Sequence, residues 1–312
     1  MLNKSKIRVI FMGTPEFAVE SLMALKDDDY RIVGVFTAPD RPAGRGRETK
    51  ISAVKRLSLA FNMPTNQPEK IRDKKWVHTI KKLKPDLIVV AAYGQIVPQS
   101  ILDIPKYGCI NVHASILPKY RGASPIHFAL LHGEKETGVT IMKMDAGMDT
   151  GEIISSCQVS ILKQDNLQSL HDKLAVAGAE LLLETLPKYI EKEIMPAIQD
   201  EDKATYTKIL KKSDGQIDWK RSAEEIHDQV RAFCPWPGTF TQWGEKCIKI
   251  VETKISDKKL EAGKFEIIDN NLYVGTETSA LEIVRLQLEG RKCLLAQDFI
   301  QGCSMIDGYY CK

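Results

Sequence analysis

None of the seven cysteines in this chain of 312 residues forms a C-x-x-C pair or a tight group with histidine. That argues against a zinc site and against a disulfide framework, and it fits a reducing cytosol. No apolar run approaches the ~20 residues of a membrane-spanning helix. The opening MLNKSKIRVIFMGTPEF holds an apolar run of strand length without a small-residue cleavage site, so it reads as a first strand and not as a signal peptide. Charge of one sign is scarce as well. The net charge is +3, and acidic and basic residues balance from Lys208 onward, so an anionic partner has to meet a local basic patch. Signatures of common enzymes are also missing: there is no G-x-S-x-G, and Gly13-Thr14-Pro15 completes neither a dinucleotide fingerprint nor a P-loop. A dinucleotide-binding oxidoreductase would end its second strand in an acidic residue, where this chain has Thr37-Ala38-Pro39. No internal repeat or low-complexity tract is present.

What the sequence does contain is an alternation of short apolar runs with helical periods in its first half. Strands are expected at residues 7–12, 31–37, 86–92, 109–113 and 138–144, with helices near 16–26, 51–62, 69–82 and 123–132. That order predicts an α/β fold built on a doubly wound, mostly parallel sheet, whose ligands bind at the carboxyl ends of the strands. Leu167, Leu170, Leu174, Leu181 and Leu182 recur at helical spacing and predict a long helix over residues 165–191. The polar stretch 191–208 reads as a linker. Beyond it, Ser222-x-x-Glu225 predicts a capped helix that ends before Pro235. Alternating strands at 239–243, 246–255, 264–268, 271–274 and 280–288 then predict a small C-terminal β-barrel, OB-like in size. The expected domains are therefore 1–190 and 209–312, joined by 191–208.

Two segments carry chemistry. In NVHASILP, residues 111–118, Asn111 and His113 stand at i and i+2 of a strand end, so they face the same way while Val112 faces the core. Two convergent donors suit the oxyanion that develops when a nucleophile adds to a carbonyl, and losing one such donor costs ~3 to 4 kcal/mol of barrier. MDAGMDTGEII, residues 144–154, offers Asp145 and Asp149 as a carboxylate to face His113 and pass protons. The alternative is a structural histidine and an Asp-Gly turn. The other segment is TAPDRPAGRGRETK, residues 37–50, where Arg41, Arg45, Arg47 and Lys50 concentrate charge in a long flexible loop. It is either a solvated loop or a grip on a phosphate backbone.

NVHASILPKYRGASPIHFALLHGEKETGVTIMKMDAGMDTGEI resembles the core signature of the 10-formyltetrahydrofolate-dependent formyltransferase family, with Ile116 replacing leucine in its S-L-L-P element. FMGTPEFAV, PDRPAGRGR and PWPGTF resemble the members that act on initiator methionyl-tRNA, so the resemblance extends over nearly the whole chain. It implies Asn111, His113 and Asp149 as catalytic residues, with 10-formyltetrahydrofolate as co-substrate and no metal. Ser115, Ile116, Leu117 and Pro118, with Val90, Tyr93 and Gly94, would line the folate pocket. Arg41, Arg45, Arg47 and Lys50 would meet the tRNA acceptor stem, helped by the C-terminal barrel, whose neutral charge is a departure unless Lys208, Lys211, Lys212, Lys220 and Arg221 cluster. A cytoplasmic monomer is expected. The alternative within the family is the same chemistry on an amino-sugar nucleotide.

Overall fold

The computed structural model describes residues 2–43 and 48–311. Its chain divides into two compact units, one formed by Met1–Gly122, Glu136–Ser160 and His171–Thr207, the other by Ala123–Lys135, Ile161–Leu170 and Lys208–Lys312. No helix among the described residues is long and apolar enough to cross a membrane.

The chain runs β1 (Arg8–Gly13), α1 (Phe17–Asp27), β2 (Arg31–Phe36), β3 (Arg41–Ala43), β4 (Glu48–Lys50), α2 (Ala53–Ala60), β5 (Thr65–Asn66), α3 (Lys74–Leu83), β6 (Leu87–Ala91), α4 (Gln99–Leu102), β7 (Cys109–His113) and β8 (Arg121–Gly122). After α5 (Pro125–Leu131), which belongs to the second unit, come β9 (Glu136–Lys143), β10 (Ile153–Ser160), α6 (Leu167–Ile190) and β11 (Tyr206–Thr207). Seven strands form the sheet of the first unit in the order β10-β9-β7-β6-β1-β2-β5. The five from β7 to β5 run parallel, and β6, Leu-Ile-Val-Val-Ala, is buried along its whole length as a strand covered on both faces should be. Because the chain leaves β1 toward β2 and returns on the other side to β6, the order switches between β1 and β6. The carboxyl ends there open the crevice in which such sheets hold ligands.

Three features differ from the sequence expectation. Strand β9, expected as one more parallel strand, is antiparallel to β7, and a further edge strand, β10, pairs antiparallel with it. The helix between β7 and β9 belongs to the other unit, so β7 and β9 are not joined by the helical crossover that parallel strands require. The loop after β2 is partly a two-stranded ladder, with Arg41 opposite Lys50 in register. Residues 191–208, expected as a linker, carry structure: β11 pairs with β8, and Ala197 bridges Ile153.

In the second unit Ser222 caps α7 (Ala223–Phe233) as expected. Its hydroxyl accepts from Glu225 N–H at 3.2 Å and its own N–H donates to Glu225 Oε2 at 3.0 Å. The bonds that Ser222 donates to that carboxylate, from its N–H and from its hydroxyl at 2.9 Å, with Arg221 beside it, hold the Glu225 carboxyl below its ordinary range. Strands β12 (Thr239–Trp243), β13 (Lys246–Ser256), β14 (Phe265–Ile268), β15 (Asn271–Gly275) and β16 (Ala280–Leu288) form an antiparallel sheet ordered β12-β13-β16-β15-β14. A short β17 (Leu294–Leu295), which the sequence pattern did not suggest, pairs with β16 and leads into α8 (Ala296–Gly302). The core joins Ile226 and Val230 of α7 to Ile248, Phe265, Leu281 and Phe299. Of the five basic residues whose clustering would offset the neutral charge here, two pair with acids, Lys208 with Asp214 at 2.6 Å and Arg221 with Glu225 at 3.1 Å.

Candidate active site

β7 lies between β6 and β9, with Asn111 beside Val90 on one strand and Met142 on the other, and His113 beside Thr140. Val112 is buried on the opposite face, so the alternation read from the sequence holds. The loop between β9 and β10 brings Asp149 to both polar groups. Asn111 Nδ2 donates to Asp149 Oδ1 at 3.5 Å, and His113 Nδ1 stands 3.7 Å from Asp149 Oδ2. That same Oδ2 accepts a short bond, 2.8 Å, from Gly122 N–H. On the other side of the ring, His113 Nε2 meets the carbonyl of Tyr120 at 3.1 Å. Asp145, the other carboxylate of the loop, does turn work: it accepts from Gly147 N–H at 3.0 Å and from Thr150 Oγ1 at 2.8 Å. The structure thus brings Asn111, His113 and Asp149 together and sets Asp145 apart.

The segment after β7 is held from within. Ser115 Oγ donates to Lys119 O at 2.6 Å. Thr140 Oγ1 donates to Ser115 O at 2.7 Å and accepts from Leu117 N–H at 3.1 Å. Ser115 and Leu117 are buried, while Ile116 and Pro118 are half-buried. Of this set, Ile116 and Pro118 therefore keep part of their side-chain surface exposed, while the hydrogen bonds of Ser115 and of the Leu117 N–H shape the turn. Val90 packs in the core with Ile10, Met12 and Tyr93.

Tyr93 and Gly94 line a cavity of about 550 Å³ at the carboxyl ends of β1, β2 and β6, with Thr14, Pro15, Ala38, Pro39, Arg41 and Glu69. Thr14 ties its walls together, donating to Tyr93 O at 3.1 Å and accepting from Ala38 N–H at 3.3 Å. Asp40 anchors the start of the arginine-bearing loop by pairing with Lys55 and accepting from Gln67 Nε2 at 2.8 Å. Those two partners hold its carboxyl below the ordinary range. Arg41 is exposed and lies 3.7 Å from Glu69. Arg45 and Arg47, and the side chain of Lys50, lie outside the described residues.

Sequence reasoning missed a buried arginine beside the site. Arg121 is fully buried. Its guanidinium donates to Gln199 Oε1 and to the Glu201 carboxylate, and reaches Tyr206 Oη at 3.0 Å. The same strap fixes the backbone around it: Arg121 N–H donates to Thr205 O and Tyr120 N–H to Thr205 Oγ1, both at 2.8 Å. Nothing in the local pattern of residues 191–208 marks it as a partner of residues 85 positions earlier, because the stretch has no apolar period.

The family model described as formyl transferase matches residues 5–186, and that of the formyl transferase C-terminal domain matches residues 209–304. Curated proteins named methionyl-tRNA formyltransferase from Geobacter metallireducens and Bacillus subtilis are each 44% identical, over 97% and 96% of this chain and of their own length respectively. Among solved structures, HypX from Aquifex aeolicus in complex with tetrahydrofolic acid superimposes with a TM-score of 0.65 at 16% identity, over 94% of this chain and 47% of that one. WlaRD, a sugar 3N-formyl transferase, superimposes with a TM-score of 0.66 at 21% identity, over 92% and 99%. At those identities the two structures speak for the fold alone. At 44% identity over almost the full length of both chains, with a formyl transferase model covering the residues that bring Asn111, His113 and Asp149 together, the chain belongs to the methionyl-tRNA formyltransferase family.

Proposed function

We propose that the protein transfers the formyl group of 10-formyltetrahydrofolate to the α-amino group of methionine on initiator methionyl-tRNA. The observation that carries this reading is the convergence of an amide, an imidazole and a carboxylate at the end of β7. Such a set suits addition of an amine to a formyl carbon: a carbonyl oxygen gains negative charge, and a proton has to travel from one nitrogen to another. Asn111 and His113 are the donors for that oxygen. With Nε2 engaged by Tyr120 O, Nδ1 is the ring nitrogen left for it. Asp149, whose Oδ2 lies 3.7 Å from the imidazole Nδ1, relays the proton from the attacking nitrogen toward N10 of the folate. The new C–N bond forms first, and the bond to N10 breaks as the oxyanion collapses and N10 takes the proton, so that tetrahydrofolate leaves.

Ile116, Pro118, Tyr93 and Gly94 supply the folate surface in this reading, with Ser115, Leu117 and Val90 supporting it from beneath. Arg41 meets tRNA phosphates, followed by Arg45, Arg47 and Lys50. An exposed ion pair such as Arg41 with Glu69 is worth at most ~1 kcal/mol, so it yields readily to a phosphate. All three catalytic groups come from one unit of one chain, so a monomer carries the whole set, and an initiator tRNA substrate fits a cytoplasmic enzyme. The test is formyl transfer from 10-formyltetrahydrofolate to initiator methionyl-tRNA, elongator methionyl-tRNA and an amino-sugar nucleotide side by side. Transfer to the initiator tRNA alone is expected, and preference for the amino sugar would overturn the reading.

A further inference from the structure

We infer that Gln199 is a positioning residue for the couple of His113 and Asp149, an inference that rests on the formyl-transfer reading above. Gln199 is buried in the stretch between α6 and β11. Its amide nitrogen donates to the carbonyls of Asp149, at 2.8 Å, and Gly151, at 2.7 Å. Its amide oxygen accepts from Arg121 Nε at 3.1 Å and Nη2 at 2.9 Å. Carbonyls can only accept and a guanidinium can only donate, so the orientation of the amide follows from its neighbours.

Both ends of this clamp lead to the site. Arg121 stands between Tyr120, whose carbonyl meets His113 Nε2, and Gly122, whose N–H donates to Asp149 Oδ2. At the other end is the backbone of Asp149 itself, which has φ +55. A residue other than glycine keeps that left-handed conformation when its surroundings hold it there. Here the bond from Gln199 to the Asp149 carbonyl is such a restraint. One carboxamide therefore joins the loop that carries the carboxylate to the segment that holds the imidazole. Because a displacement of about 1 Å is enough to cost a hundredfold in rate, the clamp acts on turnover and not on substrate affinity.

The decisive variant is Gln199→Glu in the full-length protein. It keeps the shape and the acceptor facing Arg121, but it turns a carboxylate oxygen toward two carbonyls. Formyl transfer to methionyl-tRNA is measured at single turnover and in the steady state, in the wild-type and Asp149→Asn backgrounds. The expected result is a fall in kcat of at least about tenfold, with KM for both substrates changed less than about threefold, and almost no further loss when Asp149 is already Asn. Thermal unfolding of each variant shows that it is folded. Should Gln199→Glu fail to fold, Gln199→Asn carries the same cycle. An unchanged kcat, or an equal loss in both backgrounds, overturns the inference and leaves the catalytic reading standing. Wild-type activity in Asp149→Asn overturns both.

Discussion

Replacing Gly122 by alanine is expected to damage fold and turnover together. Gly122 sits in β8 at φ +106, and a Cβ there would stand 2.7 Å from the carbonyl oxygen and 3.0 Å from the hydroxyl of Thr207. Neither can easily retreat, because Thr207 is paired through β11 and its hydroxyl donates to Arg121 O at 3.1 Å. The unfavourable φ costs about 1–3 kcal/mol, and crowding against backbone adds about 1–3 kcal/mol. For a unit of this size each kcal/mol moves the midpoint by about 2–4 °C, so thermal unfolding should come roughly 10 °C earlier. The displaced N–H also serves Asp149 Oδ2 at 2.8 Å. A hydrogen bond to a charged group is worth about 1.5–3 kcal/mol, which corresponds to a loss of roughly ten- to a hundredfold in kcat. Gly290→Ala is the control: its φ is +74, but no atom lies within 4 Å of the new Cβ, so about 1 kcal/mol of stability and no activity should be lost. Thermal unfolding and steady-state formyl transfer are measured on both. If Gly122→Ala melts with Gly290→Ala and keeps its kcat, Gly122 is not a support of the carboxylate.

Asn111→Ala should lower kcat by about a hundred- to a thousandfold, the usual effect of removing one oxyanion donor. Retained kcat would remove Asn111 from that role. Arg41→Ala should raise KM for methionyl-tRNA, leave KM for folate alone and reduce the slope of log affinity against log salt by about one. An unchanged slope would mean that Arg41 meets no phosphate. In the second unit, His227 Nδ1 pairs with Thr253 Oγ1 at 2.9 Å, and burial lowers its pKa, opposed by Asp228 and assisted by Arg231. The unfolded chain then takes up a proton before the folded one. Stability from neutral His227 is thus intact above the unfolded value of 6.5 and is lost as pH falls below it. His227→Gln should flatten the decline in thermal midpoint between about pH 7 and pH 5, and a parallel decline in both proteins would exclude that origin.

What was legible in the sequence follows from what each signal encodes. The apolar run of β6 and the alternation of β12 to β16 depend on burial of side chains close in sequence, so their positions agree with the structure to within one or two residues. The cap of α7 is equally local. Strand direction is not local: the residues of β9 look the same parallel or antiparallel, and the pairing is decided by where the chain goes between β7 and β9. Strand β10 was invisible because it is an edge strand with Gln158 and Ser160 exposed among its few apolar residues. Asn111 and His113 could be paired by their spacing of two. Asp149 could not be told from Asp145 by spacing, and only the family resemblance distinguished them. The clamp of Arg121 and Gln199 joins polar residues 78 positions apart, and no pattern of hydrophobicity records such a bond.

The distances around Asp149 bear on how the site can be ready before substrate arrives. Three donors face its carboxylate, yet the short bond, 2.8 Å, comes from the backbone of Gly122, while Asn111 at 3.5 Å and His113 at 3.7 Å stand further off. A side chain held that loosely keeps most of its capacity to donate elsewhere, because a hydrogen bond weakens steeply beyond its optimal length. The backbone therefore anchors the carboxylate, and the two side-chain donors remain able to turn to an oxygen placed between them. Had Asp149 been satisfied by Asn111 and His113 at short range, each would have to break a charge-assisted bond before helping the reaction. Anchoring by a glycine N–H avoids that cost, and it requires the chain segment 118–122 to be as rigid as a strand. That rigidity is what Thr205, Thr207 and Gln199 supply from 78 to 86 residues away.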